Sequence, residues 1–288
     1  MSDRVEVRKT YKLFVGGAFP RSESGRSYEV SAADGSFLAN AAKGSRKDGR
    51  DAVLAARKGF ASWSAATAYN RGQVLYRVAE VMEGRSAQFA ADVQDAEGVD
   101  AATAARQVEA AIDRWVWYAG WTDKLSQVLG SANQVAGPYF NFSIPEPTGV
   151  VVAVAPQDSS LLGLISVIAP IVATGNAVIA IASTDRPVPA ITLTEVLATS
   201  DVPAGTINVL TGDPAEIMPW LASHADVNAI DLTGIEDPAL AVSLEQEAAG
   251  TVKRVRGPQP DADWFATPSL SRLRSLVETK TVWHPMGT

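Results

Sequence analysis

A chain of 288 residues, 47% of them hydrophobic, is long enough to bury one large core or two smaller ones. Its formal net charge of −7 argues against a nucleic-acid or anionic-membrane surface, whose phosphates it would repel overall. Zero cysteines exclude disulfides, thiolate-bound metals and any mechanism that draws a sulfur nucleophile from this chain, and His224 and His284 lie too far apart in sequence for a histidine-rich metal motif.

Met1 to Lys12 is mixed in charge, without an apolar stretch of secretory-signal length, and no segment approaches the ~20 apolar residues of a membrane span. The expected compartment is therefore the cytoplasm. Tyr11 to Val15, a Gly16-Gly17 turn, Ser27 to Val30, an Asp34-Gly35 turn and Ser36 to Ala41 then alternate as a β meander would. Apolar residues at helical spacing predict helices over Asp48 to Ser64, Asn70 to Arg85 and Asp100 to Leu129. The aromatic cluster of the last helix, Trp115, Trp117, Tyr118 and Trp121, is assigned to packing rather than to a ligand.

The pattern changes at Pro138. Tyr139 to Ile144 alternates as a strand, and Pro145 to Gly149 punctuates it. Strands are expected at Val150 to Ala155, Ala177 to Ala182, Thr206 to Leu210 and Val227 to Leu232, with a short one at Thr251 to Arg256. Helices at Leu161 to Ala173, Ala190 to Thr199 and Ala215 to Ala222 separate them, and a last one is capped by Asp237 with Pro238 in its first turn. Wholly apolar strands alternating with helices imply a parallel sheet covered on both faces, a doubly wound α/β domain. Pro258 to Ser271 lacks a period and is expected as a linker, while Leu273 to Trp283 is a strand in need of an edge.

An ordered set of short segments resembles the aldehyde dehydrogenase superfamily from Lys12 to Gly234. It includes Phe14 to Gly17, Ser45 to Trp63, Tyr118 to Lys124, Glu146 to Val151, Ile168 to Pro170, Gly175-Asn176, Val202 to Gly205, Asn208 to Gly212 and Thr233-Gly234. Glu278 to Val282 resembles the family's C-terminal tail. The resemblance implies a Rossmann-like cofactor domain with an N-terminal meander and helices over 1–134, an oligomerisation arm over 135–149 and the α/β part over 150–257. It further implies a linker over 258–271 where the family carries its catalytic domain, and an oligomerisation tail over 272–288.

The family attacks an aldehyde with a thiolate, holds the oxyanion with a side-chain amide, passes hydride to NAD or NADP and uses a glutamate as base. Measured against that scheme the thiol is missing, Asp158 stands at the oxyanion-amide position, and Lys253 to Pro258 offers no glutamate. A carboxylate at that position would repel a developing oxyanion. The resemblance places the cofactor crevice at Ala155, Pro156, Gln157, Asp158, Ile181, Ser183, Gly212, Thr233 and Gly234. Its ribose contacts are eroded, since Ile181 replaces a lysine and Thr184 an acid. Glu236 and Asp237 precede the helix at which a pyrophosphate would sit. Ser159 and Ser160 are read chiefly as caps, with ligand binding or weak nucleophilicity as the lesser alternative. Two expectations follow. One is an inactive subunit forming homo-oligomers or hetero-oligomers with a full-length aldehyde dehydrogenase. The other is an NAD(P)-binding oxidoreductase or sensor whose catalytic residues a partner supplies.

Overall fold

The computed structural model describes residues 8–287; the part of the N-terminal sequence reading that covers Met1 to Val7 lies outside them. The opening strands β1 (Thr10–Tyr11), β2 (Ser27–Ser31) and β3 (Phe37–Ala42) form a small sheet in the order β1-β3-β2. β2 and β3 are an antiparallel hairpin, whereas β1 runs parallel to β3. Phe14 leaves this sheet to bridge Val209, so the first strand is shorter than its apolar run predicts.

Helices α1 (Arg46–Ala65), α2 (Ala68–Glu83), α3 (Ser86–Glu97), α4 (Ala101–Ala119) and α5 (Leu125–Leu129) follow. Ser45 and Asp48 form a reciprocal capping box that starts α1. α1 lies against the sheet because Gly59 permits it: a Cβ there would sit 2.3 Å from the Gly205 carbonyl carbon. Two features depart from the sequence reading. α3 was not anticipated, and the helix expected to reach Leu129 stops at Gly120, where the chain turns before resuming as α5.

The centre is a five-stranded parallel sheet of β6 (Val150–Val154), β7 (Ala177–Ile181), β8 (Ile207–Leu210), β9 (Ala229–Asp231) and β10 (Arg254–Arg256). Its order is β10-β9-β6-β7-β8, with every pairing parallel. The chain moves outward from β6 to β8 and then returns to the other side of β6, so the strand order reverses between β6 and β9. Ligands of doubly wound sheets bind at the carboxyl ends beside such a reversal. Helices α6 (Leu162–Ala173), α7 (Val188–Leu197), α8 (Pro214–Ser223) and α9 (Pro238–Ala249) make the crossovers. All of β6 and β7 is buried, as is all twelve residues of α6. One core joins α2, α3, α4, α6 and α7 on one face, and a second joins α1, α8 and α9 on the other.

A third sheet holds β4 (Ser131–Asn133), β5 (Tyr139–Pro147) and β11 (Val277–Pro285) in the order β11-β5-β4. β11 is antiparallel to β5 over nine residues, from Val277 opposite Pro147 to Pro285 opposite Tyr139. The strand that the sequence left without a neighbour thus finds one in its own chain. Asn176, fully buried, ties the two sheets by accepting from Gly149 N at 2.7 Å and donating to the Leu276 carbonyl at 2.8 Å. Residues 258–271 are not a free linker, because they fold over the β10 end of the sheet and lead into α10 (Leu270–Ser275), whose Leu273 is fully buried.

Candidate functional site

The residues assigned to a cofactor crevice do converge on the carboxyl ends of the parallel strands, but much of their hydrogen-bonding capacity is already used within the chain. After β6, the Gln157 side chain donates to the Ala155 carbonyl at 2.8 Å and accepts from Thr184 N at 2.9 Å. Ser183 donates its hydroxyl to the Gln157 carbonyl at 3.0 Å. The groups that meet a ribose or phosphate oxygen at such crevices are therefore spanned by one glutamine. Ile181, at the position of the ribose lysine, is fully buried in apolar core and brings no donor.

Gly234 sits where the strand order reverses, and its N–H bonds the Val154 carbonyl at 3.1 Å. A Cβ at Gly234 would lie 1.8 Å from the Ala155 oxygen, so only glycine allows the β9 loop to close against β6. Gly212 has φ +130°, a conformation that side chains resist, and packs against Gly44. Pro156 is buried beside them.

Asp158 is exposed, and Arg186 donates to its backbone carbonyl at 2.8 Å. Ser159, outside the helix, accepts from Gly163 N in the first turn of α6 at 2.9 Å, while the N-cap residue Leu161 makes no side-chain cap bond. Ser160 is held by Glu97, which accepts from its N–H at 2.7 Å and its hydroxyl at 2.6 Å. A serine donating to a carboxylate that also accepts from Gln107 at 2.8 Å is a structural tether of α3 and α4 to the sheet. Asp237 caps α9 by accepting from Ala239 N at 2.8 Å, with Pro238 in the first turn.

A second group of residues at the same end of the sheet was missed by sequence reasoning. Asp231, at the end of β9 and 1% exposed, accepts from Thr233 N at 3.0 Å and from Arg272 Nη1 at 2.9 Å. The Thr233 hydroxyl donates to the same carboxylate and accepts from Arg272 Nη2 at 3.1 Å. Thr233 thus belongs to a charged network rather than to an open crevice. Arg272 also donates to Gln259 at 2.6 Å. Arg114, on α4, donates to the carbonyls of Trp264 and Ala266 at 2.5 and 3.2 Å and so holds the 258–271 segment in place. Burial pushes the Arg114 and Arg256 guanidinium pKa values down, with Arg272 adding to the fall, and pushes that of the Tyr118 phenol up against the opposing pull of the neighbouring arginines. The signal was available in Asp231, a carboxylate ending an otherwise apolar strand, which requires a buried cation.

Among the described residues, no cluster of three or more His, Asp or Glu is placed to hold a metal, and no helix is long and apolar enough to cross a membrane.

Strand order and crossovers define a Rossmann-like α/β protein. The family model for the aldehyde dehydrogenase family matches residues 19–256, and the chain belongs to that family. It is 29% identical over 258 residues to cytosolic 10-formyltetrahydrofolate dehydrogenase of Mus musculus, covering 88% of this chain and 28% of that protein. It is 26% identical over 274 residues to the D-glyceraldehyde dehydrogenase (NADP(+)) of Thermoplasma acidophilum, covering 93% of this chain and 55% of the relative. The NAD+ complex of an aldehyde dehydrogenase from Bacillus cereus superposes with a TM-score of 0.80 at 22% identity, over 86% of this chain and 50% of that one. The chain thus spans about half, or less, of the relatives it matches.

Proposed function

We propose that this protein is a catalytically inactive member of the aldehyde dehydrogenase family that acts as a subunit, assembling with itself or with a full-length aldehyde dehydrogenase. The observation that carries this reading is the short path from β10 to β11. About twenty residues leave Arg256, cover the end of the sheet and enter the arm, with neither a thiol nor a second domain between them. The other two catalytic positions support it as well. Asp158 is an exposed carboxylate where the family's amide would stand, and β10 presents Arg254 and Arg256 where its glutamate would be.

The residues present do not fit NAD or NADP. Ile181 and Thr184 supply neither ribose contact, and Gln157 occupies the crevice donor at Thr184 N. The β4-β5-β11 sheet is the proposed assembly surface, since it leaves Tyr139, Phe140 and Trp283 exposed on backbone that is already paired. The alternative, an NAD(P)-binding oxidoreductase or sensor completed by a partner, draws support from the surviving glycines Gly212 and Gly234 and from the fold shared with the NAD+ complex of the Bacillus cereus enzyme.

The test is turnover and mass of the purified chain. With propionaldehyde and NAD or NADP the expected result is no reduced cofactor, and calorimetric titration with millimolar NAD or NADP should give no saturable heat. Light scattering should report a mass above that of one chain, alone or after mixing with a full-length family enzyme. NAD-linked turnover by the pure polypeptide would overturn inactivity, and a strict monomer in both conditions would overturn the subunit role.

A further inference from the structure

The segment from Gln259 to Arg272 borders an open-sided cavity of about 260 Å³ against α4 and the end of β10. Three guanidinium groups line it: Arg114, Arg256 and Arg272. Two of them are spoken for. Arg272 is paired with Asp231 and bound to Thr233 and Gln259, and Arg114 donates to two backbone carbonyls with Asp263 facing it from the exposed rim. Arg256 differs. Its side chain is four-fifths buried, its Nε has no hydrogen-bond partner among the described residues, and the Asp231 oxygen nearest to it is 3.9 Å away, beyond hydrogen-bond reach. Burying a cation is costly, and an anion placed against the guanidinium removes part of that cost.

We infer that this cavity binds a small organic monocarboxylate, with the Arg256 guanidinium as its anchor. Three guanidinium groups stand against two carboxylates, buried Asp231 and exposed Asp263, a net positive balance that favours a singly charged anion. A guanidinium is planar and presents paired donors, a geometry that matches two carboxylate oxygens. At roughly 30 Å³ per water the volume equals several waters, enough for a carboxylate and a short carbon chain. Trp264 supplies an apolar wall for that chain, with its ring fixed 5.5 Å from the Arg272 guanidinium. This assignment is independent of whether the protein is catalytic or assembles with a partner.

Calorimetric titration of the full chain with sodium propionate, at constant ionic strength, tests it. Saturable one-site binding in the millimolar range is expected, weakened at least tenfold in Arg256→Gln and unchanged in Arg77→Gln, at an exposed position of α2. Parallel titrations with sodium phosphate and sodium chloride should be weaker. Should Arg256→Gln fail to fold, the wild-type protein is treated with phenylglyoxal and mapped by peptide mass spectrometry, where propionate should slow modification at Arg256 and not at Arg77. Absence of saturable propionate binding, equal affinity in Arg256→Gln, tighter binding of phosphate or chloride, or equal protection of Arg77 and Arg256 would each overturn the assignment.

Discussion

The parallel sheet and the arm sheet solve the same problem, satisfying strand backbone, with opposite means. β6 and β7 are sealed by helices on both faces, and where polarity enters, at Asp231, a buried arginine meets it. The β5–β11 ladder is as regular, with nine paired residues, but most of its side chains remain exposed or half-exposed. The first sheet carries stability in its packing, whereas the second rests on backbone pairing and leaves Tyr139, Phe140 and Trp283 exposed.

The largest expected effect breaks the first sheet. Arg272→Met leaves the Asp231 carboxylate buried without its cation and should destabilise the protein by about 3 kcal/mol, read as a lowered urea midpoint. Adding Asp231→Leu to that variant should recover most of the loss, because an apolar pair removes the charge together with its need. A single variant of wild-type stability would mean that Arg256 compensates from 3.9 Å.

A smaller effect sharpens the contrast at the arm. Trp283 is 59% exposed and meets the Tyr139 ring edge-on at 5.8 Å. Trp283→Ala should cost about 1 kcal/mol. The loss should also grow with protein concentration when urea midpoints are compared, as expected when assembly stabilises the fold. A loss that ignores concentration would confine Trp283 to its intrachain partner.

The smallest effect lies where the sheets meet. Arg254 of β10 donates to both oxygens of Glu278 in β11, and this pairing holds the Glu278 pKa below the ordinary carboxylate value. A carboxylate whose pKa is depressed on folding stabilises the folded state above its unfolded value of about 4.3, and that contribution fades as pH falls through the lower, folded value. Solvent screens this mostly exposed pair to well under ~1 kcal/mol. Arg254→Gln should therefore lower the melting temperature slightly at pH 7 and leave it unchanged at pH 2.

What the sequence reveals follows the range of the forces involved. Val150 to Val154 and Ala177 to Ile181 announce buried parallel strands because burial on both faces demands continuous apolarity. Asp237-Pro238 announces a helix start because capping is local. α3 escaped notice because its buried stripe is only Phe89, Val93 and Ala96, although Gly98 in the left-handed conformation marks its end. Thr233 and Gly234 lie at the end of the sheet, but the arginine that engages Thr233 is Arg272, 39 positions further along the chain. Arg114 and Trp264 are 150 positions apart, a separation at which no periodicity carries information. The supposed linker of 258–271 is ordered by those distant contacts and not by its own composition.

The pairing of β5 with β11 also has a consequence for biosynthesis. Ser143 and Thr281, hydrogen-bonded across that ladder, are separated by 138 positions. At a ribosomal pace of about 5–20 residues per second, β5 waits roughly 7 to 28 seconds for β11 to be synthesised. A nascent chain interrupted in that interval would display a bare ladder of amides and carbonyls, a mark by which chaperones and proteases can tell an unfinished product from a complete one.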